Sequence, residues 1–137
     1  GGTYVGNPLA CAAAHAVLDR FENGDLLARS EAMGARIEAH ARTWQHQFPL
    51  IGDVRRRGAM VGLELVEDPL TKAPAKRQAQ DVARLAAERG VLMITAGTFG
   101  NVIRFLAPLV ISDHELEEAM AVMASCFADV SVMTTSR

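Results

Sequence analysis

The chain has 137 residues, half of them hydrophobic, with a formal charge of −2. That length suits one compact domain with a modest core, and near-neutral charge argues against a nucleic-acid footprint, which needs a basic face. No apolar run reaches the roughly 18–20 residues that span a bilayer, no secretory signal opens the chain, and Cys11 and Cys126 match no metal-ligand spacing, so two free thiols in a reducing, cytoplasmic compartment are expected.

Gly1-Gly2-Thr3 leads into a first helix, with Asn7 as its N-cap and Pro8 in its first turn; Asn23-Gly24 stops it. Asp25 caps a second helix, in which Leu26, Met33, Ile37, Trp44 and Phe48 form an apolar stripe. Pro49 ends it, and Ile51-Gly52-Asp53 reads as a turn. The basic run Arg55-Arg56-Arg57 reads as a solvated strand entrance. Ala59, Val61, Leu63 and Leu65 then alternate with Met60, Gly62, Glu64 and Val66, the period of a strand. After a polar loop, a third helix spans about 75–89, stopped by Gly90. A short strand over 91–95 and a turn with two glycines precede a strand over 102–106. Ser112 with Glu115 makes a capping box for the last helix, whose buried stripe carries Leu116, Ala119, Met120, Met123 and Phe127. The polar stretch 131–137 reads as a flexible tail.

This order predicts an α+β two-layer sandwich: a small, largely antiparallel sheet of three to four strands with helices on one face, preceded by a long helix. The predicted division is residues 1–24 as a linking segment, 25–130 as a small domain and 131–137 as the tail.

Two places could carry chemistry. The Gly-Gly-Thr stretch before a helix could cradle an anion through backbone N–H groups and the Thr3 hydroxyl. It matches no nucleotide-binding signature, and spacing alone favours an ordinary glycine loop. Arg104 shares a strand face with Val102 and Leu106, where an unpaired cation is costly. Its planar fork suits a ligand carboxylate, and an internal pair with Glu64 is the alternative. His15, His40, His46 and His114 are scattered, so no metal site is expected. Lys72 and Lys76 lie in a loop and at a helix start, where nothing depresses a lysine pKa for nucleophilic work.

Three blocks carry a resemblance to a known family. Gly1-Gly2-Thr3-Tyr4-Val5-Gly6-Asn7-Pro8-Leu9-Ala10-Cys11-Ala12-Ala13-Ala14 resembles the segment of class III aminotransferases that follows the cofactor lysine. Gly52-Asp53-Val54-Arg55 and Gly58-Ala59-Met60-Val61-Gly62-Leu63-Glu64 resemble that family's first small-domain strand. Gly97-Thr98-Phe99-Gly100-Asn101-Val102-Ile103-Arg104-Phe105-Leu106, with Pro108-Leu109, is similar to the substrate-carboxylate segment of 4-aminobutyrate aminotransferases.

The resemblance implies the C-terminal part of a fold-type I enzyme, a homodimer or a larger assembly of dimers with its active sites between subunits. Such an enzyme moves an amino group from an ω-amino acid to 2-oxoglutarate with pyridoxal phosphate. Thr3 would bind the cofactor phosphate in a partner subunit's site, and Gly2 would let the backbone approach. Arg104 would clamp a substrate carboxylate, and Gly97 and Gly100 would shape the turn that positions it. The family's Schiff-base lysine lies upstream of Gly1, so no catalytic residue is expected within this chain and the chain alone should be inactive. An ornithine or acetylornithine type, or a free-standing carboxylate-binding regulatory domain, are the alternatives. The sheet face away from the helices is expected to be unusually apolar or self-associated.

Overall fold

The computed structural model of the protein describes residues 2, 3 and 5–135. Gly1 and Tyr4 of the opening stretch, and Ser136 and Arg137 of the expected tail, lie outside the described residues. The elements run α1 (Pro8–Asn23), α2 (Leu26–Gln47), β1 (Ile51–Arg57), β2 (Met60–Leu65), α3 (Lys76–Glu88), β3 (Ile94–Ala96), β4 (Val102–Phe105) and α4 (Asp113–Thr135). The strands form one antiparallel sheet in the order β1-β2-β4-β3. The fold is α+β, and α2 and α3 pack against the sheet while α4 packs against both helices.

Local chemistry explains most boundaries. The Asn7 side chain accepts from the N–H groups of Leu9 and Ala10, and Pro8 starts α1. At α2, Asp25 makes no side-chain cap, and only its carbonyl enters the helix, accepting from Arg29 N–H. At α4 the capping box is reciprocal: Ser112 N–H donates to Glu115 at 2.9 Å, and Glu115 N–H donates to the Ser112 hydroxyl at 3.2 Å. Ser112→Ala should therefore lower stability by about 1 kcal/mol, read as a shifted urea midpoint with unchanged slope. The last helix runs on to Thr135, past Val130, where the polar stretch begins.

Two strands differ from the sequence expectation. Ile51-Gly52-Asp53 is the start of β1, an edge strand that pairs with β2 from Ile51↔Leu65 to Arg57↔Met60. A register irregularity between Ile51 and Asp53 breaks its alternation. Arg56 occupies an inward register position opposite Val61, yet its guanidinium reaches Glu31 at 2.7 Å and Glu38 at 2.8 Å on α2. Charges on an edge strand also discourage further pairing. β3 begins at Ile94 rather than Val91. Val91 N–H donates to Ala86 carbonyl and Gly90 N–H to Ala87 carbonyl, with Gly90 at φ 88, so this stretch closes α3 in a Schellman motif.

The core lies between sheet and helices. Val61, Leu63, Leu65, Ile103 and Phe105 of the sheet are buried against Ile37, Trp44, Val82, Met123 and Phe127. Trp44 is the aromatic hub, with ring centroids 5.5 Å from Phe127 and 6.3 Å from Phe105. Helix α1 is different: none of its residues is buried, and α2 is the one element it touches.

Ion pairs tie α4 to α2. Arg29 meets Asp113 at 2.6 Å, Arg36 meets the same carboxylate at 3.0 Å, and Arg29 also donates to Ile111 carbonyl at 2.6 Å. Arg29 and Arg36 hold the Asp113 carboxyl below the usual carboxylate range, and Arg56 and Arg42 do the same for Glu38. A carboxyl depressed in the fold stabilises it above the unfolded value and loses that contribution as pH falls through the folded value. The melting temperature should therefore drop as pH is lowered through and below about 4. Asp113→Asn should flatten that drop; a profile identical to the parent's would remove this pair from the acid response.

Candidate functional site

Arg104 stands on the sheet face away from the helices. Ile103 and Phe105 point into the core and are buried, so the alternation turns Arg104 and Val102 outward. Arg104 lies in a cross-strand row with Gly62 on β2 and Ile94 on β3, and Arg55 on β1 extends that row beyond Gly62. The neighbouring row holds Asp53, Glu64, Val102 and Ala96.

Sequence alone left Arg104 with two possible partners, an internal carboxylate or a ligand. Glu64 pairs with Arg55 at 2.8 Å, and Arg55 also meets Asp53 at 3.2 Å. Among the described residues the Arg104 guanidinium makes no hydrogen bond and no ion pair, although the residue is only partly exposed. Gly62 projects nothing into the space between Arg55 and Arg104. Val102 Cγ1 would stand 3.5 Å from a Cβ at Gly62, and no charged or polar side chain fills the side of Arg104 facing β2. A hollow of about 710 Å³ also borders Arg104, under β3 and β4; Val91, Met93, Phe105, Leu116 and Met120 make most of its wall apolar, and Arg89, Glu115 and Glu118 add charge at its lining.

The turn before β4 fixes where Arg104 stands. Gly97 (φ 82) and Gly100 (φ 67) adopt left-handed backbone, and Gly100 N–H donates to Gly97 carbonyl at 3.1 Å. A Cβ on Gly97 would come within 2.9 Å of Val102 Cγ2. Asn101 was read in the sequence only as a turn residue, yet it is buried, and its Nδ2 donates to Leu65 carbonyl at 2.8 Å. Leu65 N–H in turn donates to Asn101 carbonyl, which locks the entry of β4 onto β2. The signal for Asn101 is visible only once β2 is known to lie beside it.

The outer face is not uniformly apolar, as the sequence suggested. Its β1–β2 half carries Asp53, Arg55 and Glu64, whereas on the β4–β3 half Ile94, and Leu106 just past β4, each 61% exposed, flank the single charge of Arg104.

The opening stretch is a second, separate place. Gly2 and Thr3 are exposed, and Val5 N–H donates to Gly2 carbonyl at 3.1 Å. The start of α1 has no spare donors for an anion: Pro8 has no N–H, Asn7 takes those of Leu9 and Ala10, and Cys11 donates to Asn7 carbonyl. Any phosphate held here would rest on the Thr3 hydroxyl and the turn backbone. A Cβ on Gly2 would meet only Val5 Cγ2, at 3.7 Å, so nothing else on the described chain fills the space beside it. These features fit a phosphate carried by another part of an assembly. Since α1 makes no contact with the sheet, this chain does not bring Thr3 and Arg104 together.

The remaining candidates lie elsewhere. His40 meets Glu117 at 2.9 Å, and Lys76 lays its stem near Gly100. Cys11 is exposed and Cys126 buried, both free. Among the described residues no helix is long and apolar enough to cross a membrane.

Comparison with known proteins adds independent findings. The family model described as class-III aminotransferase matches residues 1–127. The chain is 52% identical over 123 residues to a "Probable 4-aminobutyrate aminotransferase" of Bacillus subtilis, covering 90% of this chain and 28% of that protein. It is 46% identical over 131 residues to a 5-aminovalerate aminotransferase of Pseudomonas aeruginosa, covering 96% of this chain and 31% of that protein. The fold superimposes with a TM-score of 0.83 on a PLP-bound amine transaminase from an uncultivated Pseudomonas species, at 33% identity, covering 95% of this chain and 29% of the other. The chain thus spans less than a third of the relatives it matches.

Proposed function

This chain belongs to the class III aminotransferase family, and on that premise we propose that it is the C-terminal part of a pyridoxal-phosphate enzyme that transfers an amino group from an ω-amino acid, 4-aminobutyrate first, to 2-oxoglutarate. The observation that carries the reading is the unpaired Arg104 on an open sheet face. A buried or half-buried guanidinium needs an anion, and every acceptor acid in such a reaction carries a carboxylate.

Arg104 receives one carboxylate in a bidentate pair, and the turn at Gly97 and Gly100 sets the depth at which it does so. Fixing that end of the substrate orients its reacting carbon for transfer. Thr3 would hold the cofactor phosphate of a partner subunit, and Gly2 would let the backbone approach it, which makes the enzyme a homodimer or a larger assembly of dimers. Pyridoxal phosphate, when bound, supplies the electron sink. The chain by itself is inactive, because its two lysines, Lys72 and Lys76, are both exposed and neither lies in an enclosed site. The relatives' names, 4-aminobutyrate and 5-aminovalerate aminotransferase, support a terminal amine as donor. Two free thiols suit a cytoplasmic enzyme.

Two measurements test this. The complete enzyme, given 2-oxoglutarate and a series of ω-amino acids, should form glutamate fastest with 4-aminobutyrate. No glutamate from any ω-amino acid would refute the reaction. The isolated chain, incubated with pyridoxal phosphate and borohydride, should take up only scattered label. Stoichiometric labelling of one lysine would refute its inactivity.

A further inference from the structure

Glu64 lies between two arginines. On the outer sheet face it is the diagonal neighbour of Arg55 on β1 and of Arg104 on β4, because both arginines flank Gly62, two residues before it. Diagonal neighbours across a strand pair are within reach of long side chains. Gly62 places no side chain between either arginine and Glu64. Yet among the described residues the carboxylate pairs with Arg55 alone, at 2.8 Å, and the Arg104 fork has no partner.

We propose that Arg55 is a positioning residue: it holds Glu64 away from Arg104 and so keeps the carboxylate receptor vacant for substrate. The proposal rests on the reading of Arg104 as that receptor. Its physical basis is the arrangement on β1 and β2. Asp53 and Glu64 are directly opposed across the strand pair, and two carboxylates so placed repel. Arg55 bridges them, with Nη1 on Asp53 at 3.2 Å and Nη2 on Glu64 at 2.8 Å. The bridge removes the repulsion and fixes Glu64 on the β1 side. Without Arg55, Asp53 pushes Glu64 toward the Gly62 position, where only Val102 Cγ1 stands, 3.5 Å from where a Cβ would lie, and Arg104 is the cation that remains in diagonal reach. Glu64 would then compete with the substrate carboxylate for the same fork.

The test is steady-state kinetics of the complete enzyme with 2-oxoglutarate varied. Arg55→Gln should raise the KM for 2-oxoglutarate about 5-fold, the factor contributed by an ion pair near the top of the exposed range, with little change in kcat. Adding Glu64→Gln should bring the KM back to the parent value, because the competitor has lost its charge. Arg55→Lys keeps a charge but lacks the fork that bridges two carboxylates, so it should give a smaller rise, roughly 2-fold, that Glu64→Gln also removes. It carries the test if Arg55→Gln does not fold. A role in stability alone would lower the melting temperature and kcat together and would not be rescued by Glu64→Gln. An unchanged KM in both Arg55 variants, or a rise that Glu64→Gln leaves in place, overturns the proposal. If Arg104→Lys also leaves the KM unchanged, the receptor reading has failed; if Arg104→Lys raises it and the Arg55 variants do not, only the positioning role has.

Discussion

In the complete enzyme, Arg104→Lys should weaken binding of glutamate and 2-oxoglutarate by about 2–5 kcal/mol, the range for truncating one partner of a buried, hydrogen-bonded charge pair. Lysine keeps the charge but offers a point donor in place of a planar fork, so it loses the second of two parallel bonds. It also ends short of the place where the guanidinium lies, leaving the substrate carboxylate only partly paired. The effect should fall on KM for carboxylate-bearing substrates, by at least about 30-fold at the lower bound. An amine donor with no carboxylate should react at its former KM. Unchanged kinetics for both glutamate and 2-oxoglutarate would refute the clamp. This contrast matters because, among the described residues, the Arg104 guanidinium has no internal partner to lose. Its replacement strands no carboxylate among the described residues, so a large effect on substrate cannot be passed off as collapse of an ion pair within the sheet.

That freedom was not legible in the sequence, although the outward direction of Arg104 was. The alternation of Val102, Ile103, Arg104 and Phe105 is enough to put the arginine on one face. Knowing what else stands on that face required β1. Its period is broken at the irregularity between Ile51 and Asp53, and its inward position at Arg56 holds a charge that reaches past the core edge to α2. A pattern of apolar alternation therefore finds β2 and passes over its partner. With β1 unseen, Glu64 looked like a candidate for Arg104, and Arg55 looked like part of a solvated run. The helix limits were more legible because they rest on short-range chemistry: Asn7 with Pro8, Ser112 with Glu115, and Gly90. Even there the apolar run after Gly90 misled, since Val91 spends its N–H on the end of α3 and not on a sheet partner. The opening stretch showed the reverse. Its glycines and the helix behind them suggested an anion cradle, but Asn7 consumes the helix donors and narrows the candidate to Thr3 and the turn.

Gly34→Ala should destabilise the fold by about 2–3 kcal/mol, within the range for overpacking a tight contact. In the sequence Gly34 is an unremarked glycine inside α2, beside the apolar stripe, where alanine would ordinarily raise helix stability by roughly 0.5–1 kcal/mol. Packing reverses the sign. A Cβ built at Gly34 falls 1.8 Å from the Gly58 carbonyl oxygen and 3.2 Å from Ala59 Cα. The obstacle is backbone, in a hairpin tip that cannot swing aside like a side chain. One turn before Gly34, the Ser30 hydroxyl accepts from Ala59 N–H at 3.0 Å, which holds the tip against the helix at this same point. Alanine would have to push the β1–β2 hairpin off α2, breaking that bond and opening the layer between Met33 and Ile37 and the sheet. The measurement is a urea unfolding curve of the variant against the parent, with Ala35→Gly as a control for helix propensity on the exposed side of the same turn. A Gly34→Ala protein as stable as the parent would mean that the hairpin tip is free to retreat. The hairpin also carries Arg55 and its hold on Glu64. Displacing it should therefore raise the KM for 2-oxoglutarate in the complete enzyme as well, coupling a packing fault on the buried side of the sheet to the chemistry on its open side.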